Sequence, residues 1–192
     1  MGFLNKVIRN EIVRRYVVMN SFDGSLTLLG IVLASFFAGI SDPGYIILPG
    51  VGAAIAMCVS GIWGAYAAEV AEVKHSMKDL EKHMLRKMGN TQIMRKKKMM
   101  AYAIAVVDGL SPLLVSLLIL VPFFFVSSGA IAIRYAYYSS IGIVVLSLFV
   151  LGMFAGKTAK ENIYKHGFKM LLAGIVVSVI FYLMTLIGLV PN

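Results

Sequence analysis

Five apolar runs dominate this 192-residue chain, at about Gly24 to Ile40, Ile46 to Ala68, Ala101 to Val126, Ile131 to Ala155 and Phe168 to Val190. Most match the roughly 18–20 residues that a helix needs to cross about 30 Å of hydrocarbon, at about 1.5 Å per residue. The Ser41-Asp42-Pro43-Gly44 turn separates the first two, and Pro112 and Pro122 fall inside the third. The period-2 alternation of a transmembrane β-strand is absent. The expected fold is therefore all-α, with five transmembrane helices. Composition agrees: 59% of residues are hydrophobic and 14% charged, against about 45–50% and about 25% in soluble domains. A soluble globular domain and a disordered chain are both excluded. The single cysteine, Cys58, excludes an intrachain disulfide framework.

Charge orients the spans. The net charge is +9, and 17 of the 18 Lys and Arg fall before the first span, between the second and third, or between the fourth and fifth. Only Arg134 lies on the other side. The positive-inside rule places the N-terminus in the cytoplasm and the C-terminus outside or in a lumen. The basic segments then read as topology determinants beside anionic lipid. No stacking or groove-reading module accompanies them, which argues against nucleic acid as a partner. Lys6, Arg9, Arg14 and Arg15 interrupt any signal-peptide core. Phe3, Leu4, Val7, Ile8 and Ile12 share one helical face, so residues 1–20 are expected to form an amphipathic helix on the cytoplasmic membrane surface.

Two stretches of the chain resemble each other. Asp23-Gly24-Ser25-Leu26-Thr27-Leu28-Leu29 opens the first span, and Asp108-Gly109-Leu110-Ser111-Pro112-Leu113-Leu114 lies in the third. Asp23 precedes Gly64 by 41 residues, and Asp108 precedes Gly152 by 44. The pattern is that of a parallel two-helix repeat with an added fifth helix, an arrangement found in transporters. Each repeat brings one carboxylate to the inner end of a span. An acid at that depth is costly unless it is paired, hydrated or neutralised. Asp23 can be read as a helix cap, a reading weakened for Asp108 by the apolar stretch from Ala101 to Val107. Acids at matched positions favour a cation site whose hard oxygens trade the ion for protons.

Between residues 69 and 100 the pattern predicts a cytoplasmic helical hairpin. Val73, Met77, Leu80, Met84 and Met88 form one apolar stripe, Gly89-Asn90 breaks it, and Thr91 caps the next helix. Another face carries Glu69, Glu72, His75, Asp79 and His83, which at helical spacing is a donor set for Fe²⁺, Mn²⁺, Zn²⁺ or Co²⁺. The plainer reading is a solvated face among Lys74, Lys78 and Lys82. The methionine stripe reads as packing. Trp63 and Cys58 read as packed in the second span, and Tyr135, Tyr137 and Tyr138 as an aromatic belt at the outer interface. No Ser/His/Asp set, phosphate loop or HExxH is present, so no enzyme and no tightly bound cofactor are expected.

On Asp23-Gly24, on Ser60-Gly61-Ile62-Trp63-Gly64-Ala65-Tyr66 and on Gly152-Met153-Phe154-Ala155-Gly156-Lys157, the chain resembles the vacuolar iron transporter family, as a short member. The likeness extends to Met170-Leu171-Leu172-Ala173-Gly174 in the fifth span. It implies a homodimer that exports Fe²⁺ or Mn²⁺ from the cytoplasm in exchange for protons, with the first-span aspartate at Asp23. It also implies a metal-collecting segment between spans two and three. The family commonly has Met after that serine and Glu before the tyrosine, where this chain has Gly61 and Ala65. Asp108 and the Glu72–His83 face are the candidate substitutes. The function expected is proton-coupled transport of a divalent transition metal. The rival readings are a non-transporting membrane scaffold or anchor and a passive cation channel.

Overall fold

The structure is a computed structural model, and it describes residues 11–84 and 91–188. The described residues form five helices and no strand: α1 (Glu11–Phe37), α2 (Gly44–Met84), α3 (Gln92–Ser127), α4 (Ile133–Ala159) and α5 (Ile163–Leu186). All five are long and apolar enough to cross a membrane. The first ten residues of the expected amphipathic helix lie outside the described part of the chain, as do Met88 and Gly89-Asn90. Residues 11–20 are the first turns of α1, continuous with the span.

Local sequence sets the helix ends. At the end of α1, Gly39 takes a positive φ of 67°, and the N–H groups of Gly39 and Ile40 return to the carbonyls of Phe36 and Ser35. That Schellman closure satisfies carbonyls the helix leaves open. Asp42 then accepts the Gly44 N–H at 2.8 Å and starts α2. The end of α3 repeats the device: Gly129 has φ 77°, and its N–H and that of Ala130 return to Val126 and Phe125. As expected, Thr91 caps α3, its side chain accepting the Met94 N–H at 3.5 Å.

The core is an apolar cluster of α1, α3 and α4 with Ile46 of α2, centred on Leu28, Val32, Leu120, Phe123, Val144 and Leu148. α1 and α3 pack together; α2 lies against both, and so does α4. α2 and α4 do not touch, while α5 packs on α4 and α1. Exchanging the pair α1–α2 with α3–α4 leaves the neighbours among these four helices unchanged, the pattern of a two-helix repeat, and α5 stands outside it. Beyond the spans, α2 and α3 continue side by side: Lys97 donates to the Ser76 hydroxyl at 2.5 Å, and Met77 is buried.

Three local expectations are corrected. Asp23 is no helix cap, because α1 begins at Glu11 and the N–H groups near Asp23 are already taken by carbonyls one turn earlier. Trp63 is 77% exposed, standing on the outer side of α2 rather than packed in the chain. Tyr137 is not in the outer belt. It is buried against Phe36 and Phe123, and its hydroxyl donates to the Ile40 carbonyl at 2.8 Å. Tyr135 and Tyr138 are exposed.

Candidate functional site

Tyr16, Asn20 and Asp23 follow at spacings of four and three, so they share one stripe of α1. That stripe faces α2 and α3. Tyr16 donates its hydroxyl to Glu69 Oε1 at 3.4 Å, and Asn20 donates its amide to Asp108 Oδ1. Between these helices lies a cavity of about 510 Å³, lined by Asn20 and Asp23 from α1 and Asp108 and Pro112 from α3. α2 supplies the remaining wall, including Met57, Ser60, Gly61 and Ala65.

Close helix contact builds this wall. A Cβ on Gly109 would sit 2.4 Å from the Cys58 carbonyl oxygen, and one on Gly61 would sit 2.9 Å from the Gly109 Cα. Only glycines allow α2 and α3 to approach so closely. The same contact brings Gly61 beside Asp108, whose Oδ2 lies 3.5 Å from that Cβ position. Position 61 is therefore a backbone contact with no room for a side chain. Gly24, next to Asp23, packs on Pro112 in a similar way, with its Cβ position 3.1 Å from the proline.

The two acids differ in setting. Asp108 is 4% exposed and held by Asn20. Asp23 is exposed in the single chain and has no hydrogen-bond or ion-pair partner among the described residues. Pro112 adds a further feature. It lies four residues after Asp108 and has no N–H to give the Asp108 carbonyl, so that carbonyl loses its ordinary helix partner. The residues around the cavity bring mostly hard oxygen: the Asp23 and Asp108 carboxylates and the Ser60 hydroxyl, with the Met57 thioether beside them. Hard oxygen with limited sulfur suits a divalent cation such as Mn²⁺ or Fe²⁺.

The Glu69–His83 face of α2 does not gather in the same way. Glu69 meets Tyr16, His75 Nδ1 lies 3.5 Å from Asp79 Oδ2, and His83 Nδ1 turns back to the Asp79 carbonyl at 2.7 Å. Lys82 also reaches Asp79, at 3.9 Å, and Glu72 is exposed without joining them. Among the described residues no three His, Cys, Asp or Glu are placed to hold one ion. The reason is geometric. Glu69 to His83 spans about 21 Å of straight helix, so only neighbours one turn apart can meet. Asn20 and Tyr16 are the site residues that the sequence pattern left unnoticed. Their signal was their place on the Asp23 stripe.

The VIT family profile matches residues 67–186, which include Asp108 and the Glu69–His83 face but not Asp23. An uncharacterized protein of Methanocaldococcus jannaschii, MJ0645, is 36% identical over 179 residues, covering 92% of this chain and 90% of that one. Members of the family are membrane metal-ion transporters rather than enzymes. With five apolar helices and a profile match over more than half its length, the chain is an integral membrane protein and belongs to the VIT family.

Proposed function

We propose that the protein exports a divalent transition metal, Fe²⁺ or Mn²⁺, from the cytoplasm in exchange for protons, through the cavity between α1, α2 and α3. The observation that carries this reading is that Asp108 and Asp23 both line that cavity. Asn20 occupies one carboxylate oxygen of Asp108, and the other lies beside Gly61, where the α2 wall carries no side chain. A metal arriving from the cytoplasm displaces protons from the acids, because a ligand must be deprotonated to bind. Protons arriving from the other side reverse the exchange. The Met57 thioether, one turn before Gly61, supplies the sulfur that related chains commonly carry at the Gly61 position. Tyr16, Glu69 and the His75–Asp79 pair mark the cytoplasmic approach, with Glu72 and His83 on the same helix.

In this reading the protein works as a homodimer with its N-terminus in the cytoplasm. Gly52, Ala56, Ser60, Gly64 and Ala68 recur every four residues along α2, all exposed, and nothing lies within 4 Å of a Cβ placed on Gly52 or Gly64. Such a small-residue stripe suits close packing of a second helix in lipid. Three of these residues line the cavity, so a second copy there would cover its mouth.

The test is uptake of Fe²⁺, Mn²⁺, Co²⁺ and Zn²⁺ into proteoliposomes across a pH gradient, with an internal pH dye. Metal flux with opposite proton movement is expected. Flux without proton movement would show a channel, and absence of flux for every ion would leave a scaffold or anchor.

A further inference from the structure

A second groove of about 510 Å³ lies between the start of α1 and the end of α4. Its cationic wall is Arg14 and Arg15; its apolar wall includes Val18 and Met19, and its floor is formed by Ala155 and Ala159. Ala155 and Ala159 stand one turn apart on α4, and the groove exists because neither carries a side chain long enough to fill it. Arg14 Nε has no hydrogen-bond partner among the described residues. A donor without an acceptor is unfavourable, so an acceptor that reached this guanidinium would be held. Glu11 is the one acid in the groove, and it reaches only Arg14 Nη2, at 4.0 Å. Two guanidinium groups therefore face a single carboxylate. Thr158 adds no free donor, since its hydroxyl donates to the Phe154 carbonyl at 3.0 Å.

Depth selects the occupant. From Arg14 to the end of α1 at Phe37 the helix rises about 35 Å, somewhat more than the hydrocarbon thickness, which sets Arg14 at headgroup level. Guanidinium recognises phosphate oxygens in pairs, and the apolar side of the groove continues towards the acyl chains. We propose that this groove binds the phosphate of an anionic phospholipid in the leaflet facing the α1 N-terminus. The Arg14 fork and Arg15 hold the phosphate oxygens, while Val18 and Met19 border the upper acyl chain. This site is separate from the acid-lined cavity, and its test reads lipid-dependent stability, which is independent of metal flux.

The experiment is thermal melting of the purified full chain in zwitterionic lipid–detergent micelles, with added phosphatidylglycerol, phosphatidylcholine or sn-glycerol 3-phosphate. Phosphatidylglycerol is expected to raise the melting temperature by about 5–10 °C at saturation, and phosphatidylcholine not to. Arg14→Gln should remove most of that rise. Ala159→Leu, which fills the groove without changing charge, should do the same. Lys78→Gln, on the cytoplasmic extension of α2, should keep it. If Arg14→Gln does not fold, Arg15→Gln and Ala159→Leu carry the comparison. An equal rise with sn-glycerol 3-phosphate would overturn the lipid assignment. A full phosphatidylglycerol response in the groove variants would overturn the site.

Discussion

Asn20 on α1 donates its side-chain amide to Oδ1 of Asp108 on α3, joining the two repeats at the acid that the fold buries most deeply. The bond satisfies one oxygen of a carboxylate that would otherwise be expensive in a membrane interior. It also leaves the second oxygen beside the glycine contact between α2 and α3.

Asn20→Leu keeps the side-chain size but removes the donor. Losing a hydrogen bond to a buried charged group costs about 1.5–3 kcal/mol, so metal flux should fall by about 10- to 100-fold. Asn20→Gln should restore part of it. Flux of Mn²⁺ into proteoliposomes, with melting as a fold check, decides whether Asn20 acts on the site.

The glycine contact predicts contrasting stabilities. Gly109→Ala places a Cβ 2.4 Å from a backbone carbonyl, and Gly61→Ala places one 2.9 Å from the Gly109 Cα. Neither neighbour is a flexible side-chain tip, so α2 and α3 must separate. Each substitution should lower stability by about 1–3 kcal/mol, read as a lower melting temperature. Gly142→Ala, with nothing within 4 Å, should not.

Gly52 tests the dimer. It is exposed, nothing lies within 4 Å of its Cβ position, and it does not line the acid cavity. Gly52→Leu should shift the protein from dimer to monomer in light scattering while the melting temperature of the monomer fold holds. A dimer of unchanged strength would move the interface away from the α2 stripe.

The connection between α4 and α5 predicts an acid limit. Glu161 Oε2 lies 2.7 Å from His166 Nε2, and this hydrogen bond, followed by the charge of His166, holds the Glu161 carboxyl below its ordinary value of 4.5. A lowered folded value favours the ionised form in the native state. Its contribution to stability is present above pH 4.5 and is lost as pH falls through the lower folded value. His166 also packs against Gly152 and Gly156, so the bond fixes where α5 starts. Amide protection in residues 157–166, taken relative to the intrinsic exchange rate at each pH, should therefore fall on acidification below about pH 4.5. Glu161→Gln should flatten that fall.

How much of this was legible in the sequence follows from the range of each signal. The five helices, the Thr91 cap and the Asp-Gly pair are local patterns, and each can be read without knowing its neighbours. The partner of Asp108 is not local: Asn20 is 88 residues away, and no spacing rule connects the two. Trp63 and Tyr137 fail for a related reason. In a lipid environment an aromatic side chain is equally at home facing the bilayer or the core, so hydropathy cannot choose its side. The Glu69–His83 stripe is legible as a shared helix face, but a straight helix spreads such residues along its length, so which of them meet depends on neighbours on adjacent turns.

In the proposed exchange, the acids in the α1–α2–α3 cavity carry the transported ion. Its most direct measurement is metal-driven proton movement in proteoliposomes containing the full chain, its Asp108→Asn variant or its Asp23→Asn variant. Removing a charged ligand should lower Fe²⁺ and Mn²⁺ flux by at least about tenfold in each variant, with the coupled proton signal falling in step and the melting temperature retained. Undiminished flux and proton movement in both variants would contradict the account.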